Sequence, residues 1–175
     1  AYGEDSSDNS NAGAYDSFLN IETNDKKKIE NCINKIIAGY KEKKINLNKS
    51  EVIIQQMIQN TYLSGVIFTH NLNNGAPYYV INYDDISGLT NTVTSGASEY
   101  SNRSLYIYRN KINKLKSPRF RKIINCVREL ENISRSKFLD IEFACDKNLN
   151  IFLLQVREIA KAKPWNKNLK KKFNK

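Results

Sequence analysis

Along the chain, apolar residues alternate between helical and strand periods. In "NDKKKIENCINKIIAGYKEKK" the positions Ile29, Cys32, Ile33, Ile36, Ile37 and Tyr40 recur at the three-to-four spacing that puts them on one side of a helix, under a lysine-rich outer face. "EVIIQQMI", "SGVIFTH", "PYYVINYDD" and "SLYIYR" are β-branched and aromatic runs punctuated by Asn, Gly and Pro, so each predicts a strand, with "NLNNGAP" as a turn. Ser117 followed by Pro118 marks a second helix start: Ser can cap free amides, and Pro fills a position whose amide needs no partner. Phe120, Ile123, Ile124, Val127 and Leu130 form that helix's buried stripe. A hairpin over residues 138–157 closes the pattern. The small, polar stretch "AYGEDSSDNSNAGAYDSFLN" predicts a loop. An order of loop, helix, strands, helix and hairpin points to an α+β fold on a largely antiparallel sheet with packed helices. There is no internal repeat.

Within the closing hairpin, "LDIEFACDKNLNIFLLQVREI" sets four polar side chains inside otherwise apolar strands. Successive strand residues face opposite ways, so Asp140 and Glu142 share a face, as do Gln155 and Arg157. With Glu142 opposite Gln155 and Asp140 opposite Arg157, all four project together; this requires a turn of even length, for example Lys147–Asn150. Leu139, Ile141 and Phe143, with Leu154 and Val156, then back the polar side with an apolar one. Neighbouring carboxylates repel unless a cation lies between them, and hard oxygen ligands suit Mg²⁺, which keeps substrate phosphates in its shell. Arg157 adds a planar donor fork matched to phosphate oxygens. A metal–nucleoside triphosphate site fits this wall, and so does a pair of cross-strand salt bridges worth about 0.2–1 kcal/mol each. The hairpin by itself leaves both open.

Composition narrows the classes. With 175 residues, 40% of them apolar, the chain suits one compact domain over residues 1–160. No run approaches the roughly 18 apolar residues of a membrane span, and no signal peptide opens the chain, so a cytoplasmic protein is expected. Ala1 stands first and Met57 is the only methionine, so a piece of a longer chain is expected. Cys32, Cys126 and Cys145 are odd in number and set in apolar surroundings, as reduced core thiols are. The formal charge of +10 is concentrated in residues 161–175, which hold seven lysines and no acid; without them residues 1–160 carry +3. This segment is expected to be a basic linker or tail, and nucleic-acid binding, which would need it, is not favoured.

"DIEFACDKNLNIFLLQVREI" resembles the closing motif of the nucleotide-binding, ATP-grasp domain of the phosphoenolpyruvate synthase and pyruvate phosphate dikinase family. "AYGEDSSDNSNAGAYDSFLNI" is similar to the stretch after that family's Val-Arg-Ser-Ser segment. "VIIQQMI" and "SGVIFTHNLNNG" resemble its Gln-x-Met and Gly-Val-x-Phe-Thr strands, and "SGLTNTVTSG" its Gly-Leu-Gly-Glu turn. The resemblance implies ATP and Mg²⁺ as cofactors. It implies that Glu142 and Gln155 bind metal and phosphates, that Arg157 contacts the terminal phosphate, and that Asp140 supports them. It also implies that Gln55 and Met57 line the adenine pocket and that the Asn11-Ala12-Gly13 loop, with Ser10 before it, lies over the triphosphate. The family's chemistry splits ATP into AMP and phosphate through a phosphohistidine on another domain of the same parent chain. The phosphoryl group then passes to a small-molecule acceptor: pyruvate or, in a capsule-type branch that "VINYDDISGLTNTVTSG" resembles, the amide of glutamine.

The chain departs from the family pattern at three places. Asn91 stands where the turn carries an acid, leaving Asp84 or Asp85 to supply that charge. Arg157-Glu158 replaces Arg-Pro. The Lys and the Val-Arg-Ser-Ser arginine of the first lobe would lie upstream of Ala1. A catalytically idle nucleotide-binding or regulatory module is therefore the alternative. His70, the one histidine, is expected at a rim or in a structural role and is not the phosphohistidine carrier.

Overall fold

The computed structural model describes residues 15–90, 103–159 and 165, and the chain contacts divide it into two compact units, Ala1–Met57 and Ile58–Lys175. In the first unit, α1 spans Lys26–Glu42. Asp25 caps it, its Oδ1 accepting from Lys28 N at 2.9 Å. The residues of the expected stripe are less exposed than their neighbours, and Tyr40 is buried. Tyr15 packs edge-on against Tyr40 with ring centroids 5.6 Å apart, and the Tyr40 hydroxyl donates to Glu51 O at 3.2 Å. A short 3₁₀ turn, Leu47–Lys49, follows.

The strand expected at "EVIIQQMI" does not form. Residues 51–59 adopt no regular structure, and Ile53 and Ile54 are 85% and 72% exposed. A β-branched run expresses its preference only where a neighbouring strand and a packed face receive it, and none among the described residues pairs with this one.

The second unit is a five-stranded antiparallel sheet with one helix on it. Its strands are β1 (Thr61–Phe68), β2 (Tyr78–Asp84), β3 (Arg103–Tyr108), β4 (Leu139–Asp146) and β5 (Ile151–Glu158), in the spatial order β3-β2-β1-β4-β5. Helix α2 spans Pro118–Ser134. Helix plus antiparallel sheet is the expected α+β class. Asn71 closes the β1–β2 turn: its Oδ1 accepts from Asn73 N, its carbonyl accepts from Gly75 N at 2.8 Å, and Gly75 takes the left-handed φ of 67°. Ser117 sits at the α2 N-cap, yet its side chain makes no cap hydrogen bond; Arg121 N instead reaches the Ser117 carbonyl at 3.0 Å.

The core lies between α2 and one sheet face. Phe120, Ile123, Ile124 and Val127 meet Leu63 and Ile67 of β1, Tyr79 and Ile81 of β2, and Leu139, Ile141 and Phe143 of β4, all nearly inaccessible to water. Buried Glu131 continues the α2 stripe and is satisfied there. Its carboxylate accepts from the Tyr79 hydroxyl at 2.8 Å and pairs with Arg109 at 2.7 Å, and the Arg109 guanidinium lies over the Tyr79 ring. The β1 and β2 backbones approach closely at Gly65, where an added Cβ would lie 2.2 Å from Asn82 O. We expect Gly65→Ala to force these two central strands apart and cost about 1–3 kcal/mol, read from urea unfolding against the wild-type chain.

Candidate functional site

The face of the sheet turned away from α2 carries the polar residues of β4 and β5. Leu139, Ile141 and Phe143 take the core side of β4, so Asp140 and Glu142 take the other. Strand pairing sets Asp140 opposite Arg157 and Glu142 opposite Gln155, with all four side chains on one face. The route to this register differs from the even turn expected over Lys147–Asn150. Asp146 N donates to Asn150 O at 3.1 Å, so only Lys147, Asn148 and Leu149 lie between the last pair, with Leu149 at a left-handed φ of 61°. Such a turn would set Glu142 opposite Leu154. A bulge between Glu142 and Phe143 corrects it: Phe143 pairs with Leu153, Glu142 with Gln155, and Leu154 is the extra residue. Leu153 therefore takes the core-side position assigned to Leu154 from alternation alone.

The two acids stand in different electrostatic situations. Arg157 donates from Nε and Nη2 to Asp140 Oδ2 at 2.8 and 2.6 Å, a charge-assisted pair in which Asp140 is buried. Glu142 is half-buried, and among the described residues no hydrogen bond or ion pair reaches its carboxylate. Burial raises its pKa, the neighbouring Asp140 charge raises it further, and Arg157 opposes both. The site thus holds one answered and one unanswered acid beside the Gln155 amide. Among the described residues no three His, Cys, Asp or Glu side chains cluster as a metal centre. This donor set fits a hard cation that draws its remaining ligands from a bound phosphate, as Mg²⁺ does.

The same face continues across the sheet. Glu142 lies opposite Val66 of β1, Val66 opposite Asn82 of β2, and Asn82 opposite Ser104 of β3. One polar row therefore crosses all five strands with a single small apolar residue inside it.

The family model for the AMP/ATP-binding domain of pyruvate phosphate dikinase matches residues 1–102. The chain belongs to this family. Comparisons with curated proteins and with solved structures each give no match. In this dikinase-family chain the match spans α1, β1 and β2 and stops before β3, so the hairpin acids lie beyond the matched residues. Gln55, exposed, and Met57, half-buried, fall inside the match on the irregular stretch at the end of the first unit, whereas the hairpin belongs to the second. Ser10, Asn11, Ala12, Gly13, Asn91 and most of the basic tail lie outside the described residues.

Asp84 and Asp85, the two acids expected to supply the charge missing at Asn91, are engaged locally. Asp84 accepts from the backbone amides of Ile86 and Ser87 and from the Ser87 hydroxyl, and Asp85 pairs with Arg103 and Arg119, each at 3.0 Å. His70 is held structurally: its Nδ1 lies 2.9 Å from Lys137 O, its ring packs on Phe138, and burial followed by the Arg109 charge lowers its pKa. No helix among the described residues is long and apolar enough to cross a membrane.

The raised pKa of Glu142 has a stability consequence. In the folded chain Glu142 keeps its proton to a higher pH than in the unfolded chain, so folding loses stability as pH rises from the unfolded value of about 4.5 through the folded one. Glu142→Gln removes that loss. Urea unfolding without nucleotide should find this variant more stable than wild type at pH 7, with the gain shrinking towards pH 4; an equal difference at both pH values would contradict the assignment.

Proposed function

We propose that the chain is the ATP-binding, ATP-grasp part of a cytoplasmic phosphoenolpyruvate-synthase-like phosphotransferase. The observation that carries this reading is the half-buried Glu142 carboxylate, which has no hydrogen-bond or ion-pair partner among the described residues, set beside an Arg-bound Asp140 and opposite Gln155 on one sheet face. Membership of a family defined by AMP/ATP binding supplies the ligand class.

In this reading Glu142 and Gln155 would hold Mg²⁺, which would supply charge neutralisation to the phosphate oxygens of ATP as the bond between its α- and β-phosphates breaks and AMP leaves. Glu142 is suited to this by its surplus negative charge, since a cation relieves the cost that burial and Asp140 impose on it. Arg157 directs its guanidinium at the terminal phosphate. Asp140 is the positioning residue: it grips Nε and Nη2 from one side, fixing the plane of the fork before nucleotide arrives. The family resemblance assigns adenine contact to Gln55 and Met57 and triphosphate contact to the Asn11-Ala12-Gly13 loop, whose small residues would let backbone amides come close to oxygens. These groups position and neutralise, and the chemistry they serve cleaves ATP to AMP and phosphate through a phosphohistidine carried by another domain of the parent protein. The acceptor is pyruvate or, in the capsule-type branch, the glutamine amide.

The test is AMP formation from ATP by the full-length protein. Glu142→Gln, and Arg157→Lys, which keeps a cation for Asp140 but loses the planar fork, should each lower the rate by about 10²-fold or more. Wild-type rates in both variants would refute the site. Tight ATP binding by the wild type without any AMP would instead mark an idle nucleotide-binding module.

A further inference from the structure

The polar row has a second end. Ser104 Oγ donates to Asn82 Oδ1 at 2.7 Å. That contact occupies the amide's acceptor and fixes its orientation, so the Nδ2 group offers its N–H donors away from Ser104; no other side-chain hydrogen bond of Asn82 occurs among the described residues. Asn82 is half-buried on the same face as Glu142, two strand spacings away, which is about 10 Å. Val66 between them supplies a low apolar floor instead of a competing polar group. Among the described residues, the members of this end of the row are an amide, a hydroxyl and an aliphatic side chain.

We infer that Asn82, oriented by Ser104, binds a ribose hydroxyl of the nucleotide whose phosphates lie at Glu142, Gln155 and Arg157, an assignment that rests on the proposed ATP site. A neutral, pre-oriented N–H donor suits a neutral hydroxyl oxygen, whereas phosphate oxygens are met by the charged end of the row. The sugar follows the phosphates along a nucleotide, so a molecule lying across the strands brings it to β2 once its phosphates are held at β4 and β5. Ser104 is a positioning residue in this arrangement and makes no contact with the sugar.

The test compares binding of ATP, 2′-deoxy-ATP and 3′-deoxy-ATP, with Mg²⁺, to the full-length protein by calorimetry. Asn82→Ala should weaken ATP about 3- to 10-fold, the range of one neutral hydrogen bond. One of the deoxynucleotides should bind wild type more weakly than ATP by a similar factor, and Asn82→Ala should no longer distinguish the two. Ser104→Ala, at an exposed position where folding is safe, should show a smaller loss in the same direction. If Asn82→Ala and Ser104→Ala keep full wild-type discrimination while Glu142→Gln loses Mg²⁺-dependent ATP binding, the sugar assignment falls and the phosphate site stands. If Glu142→Gln binds ATP as wild type does, or wild type binds none, the underlying site falls as well.

Discussion

Everything on the polar face depends on the pairing of β4 with β5 to the residue. A shift of one position would turn Gln155 and Arg157 towards α2, where a guanidinium and an amide would be buried against Ile141 and Phe143 without partners. Two local features hold the pairing. At the turn, the Asp146 carboxylate accepts from Asn148 N, Asn150 N and Asn150 Nδ2, which also lowers its pKa. Further along, the bulge at Leu154 takes up the odd residue. The Asp140–Arg157 pair then fastens the two strands where the chemistry is proposed.

The sheet separates two environments. On the α2 side, an apolar core fixes β1, β2 and β4, and the buried acid Glu131 is met by Tyr79 and Arg109. On the far side the acids are not equally met. Asp140 is paired with Arg157, while the surroundings of Glu142 disfavour its charged form. An unmet charge at a half-buried position costs stability, and a bound cation would recover that cost. Membership of an AMP/ATP-binding family gives that imbalance a chemical setting.

Much of the architecture was legible in sequence because helical and strand periods are local. The α1 and α2 stripes, and the shared faces of Asp140 with Glu142 and of Gln155 with Arg157, follow from side-chain periodicity; the facing of the two pairs across the hairpin depended on register. What escaped depends on partners distant in the chain. Residues 51–59 have strand-forming side chains but no strand to join. Ser117 has the right identity for a cap and the wrong side-chain placement. The turn and the bulge each offset the alternation by one residue and cancel, so the structure reaches the pairing that an even turn would have set, by a route that alternation does not show. Glu131 carried a signal that was passed over, since it sits four residues after Val127 on the buried stripe. Asn82 and Ser104 become neighbours only when β2 pairs with β3, and nothing in either strand alone announces it.

The cancelling turn and bulge also restrict how the hairpin can change in length. Adding or losing one residue at Lys147–Leu149 would reverse β5 unless the Leu154 bulge were gained or lost with it, so viable lineages should drift here by coupled steps. Connection length at this corner is thus a readable marker: a chain altered there by a single residue, with no compensating irregularity in the strand, would turn its arginine inward and take it off the polar face.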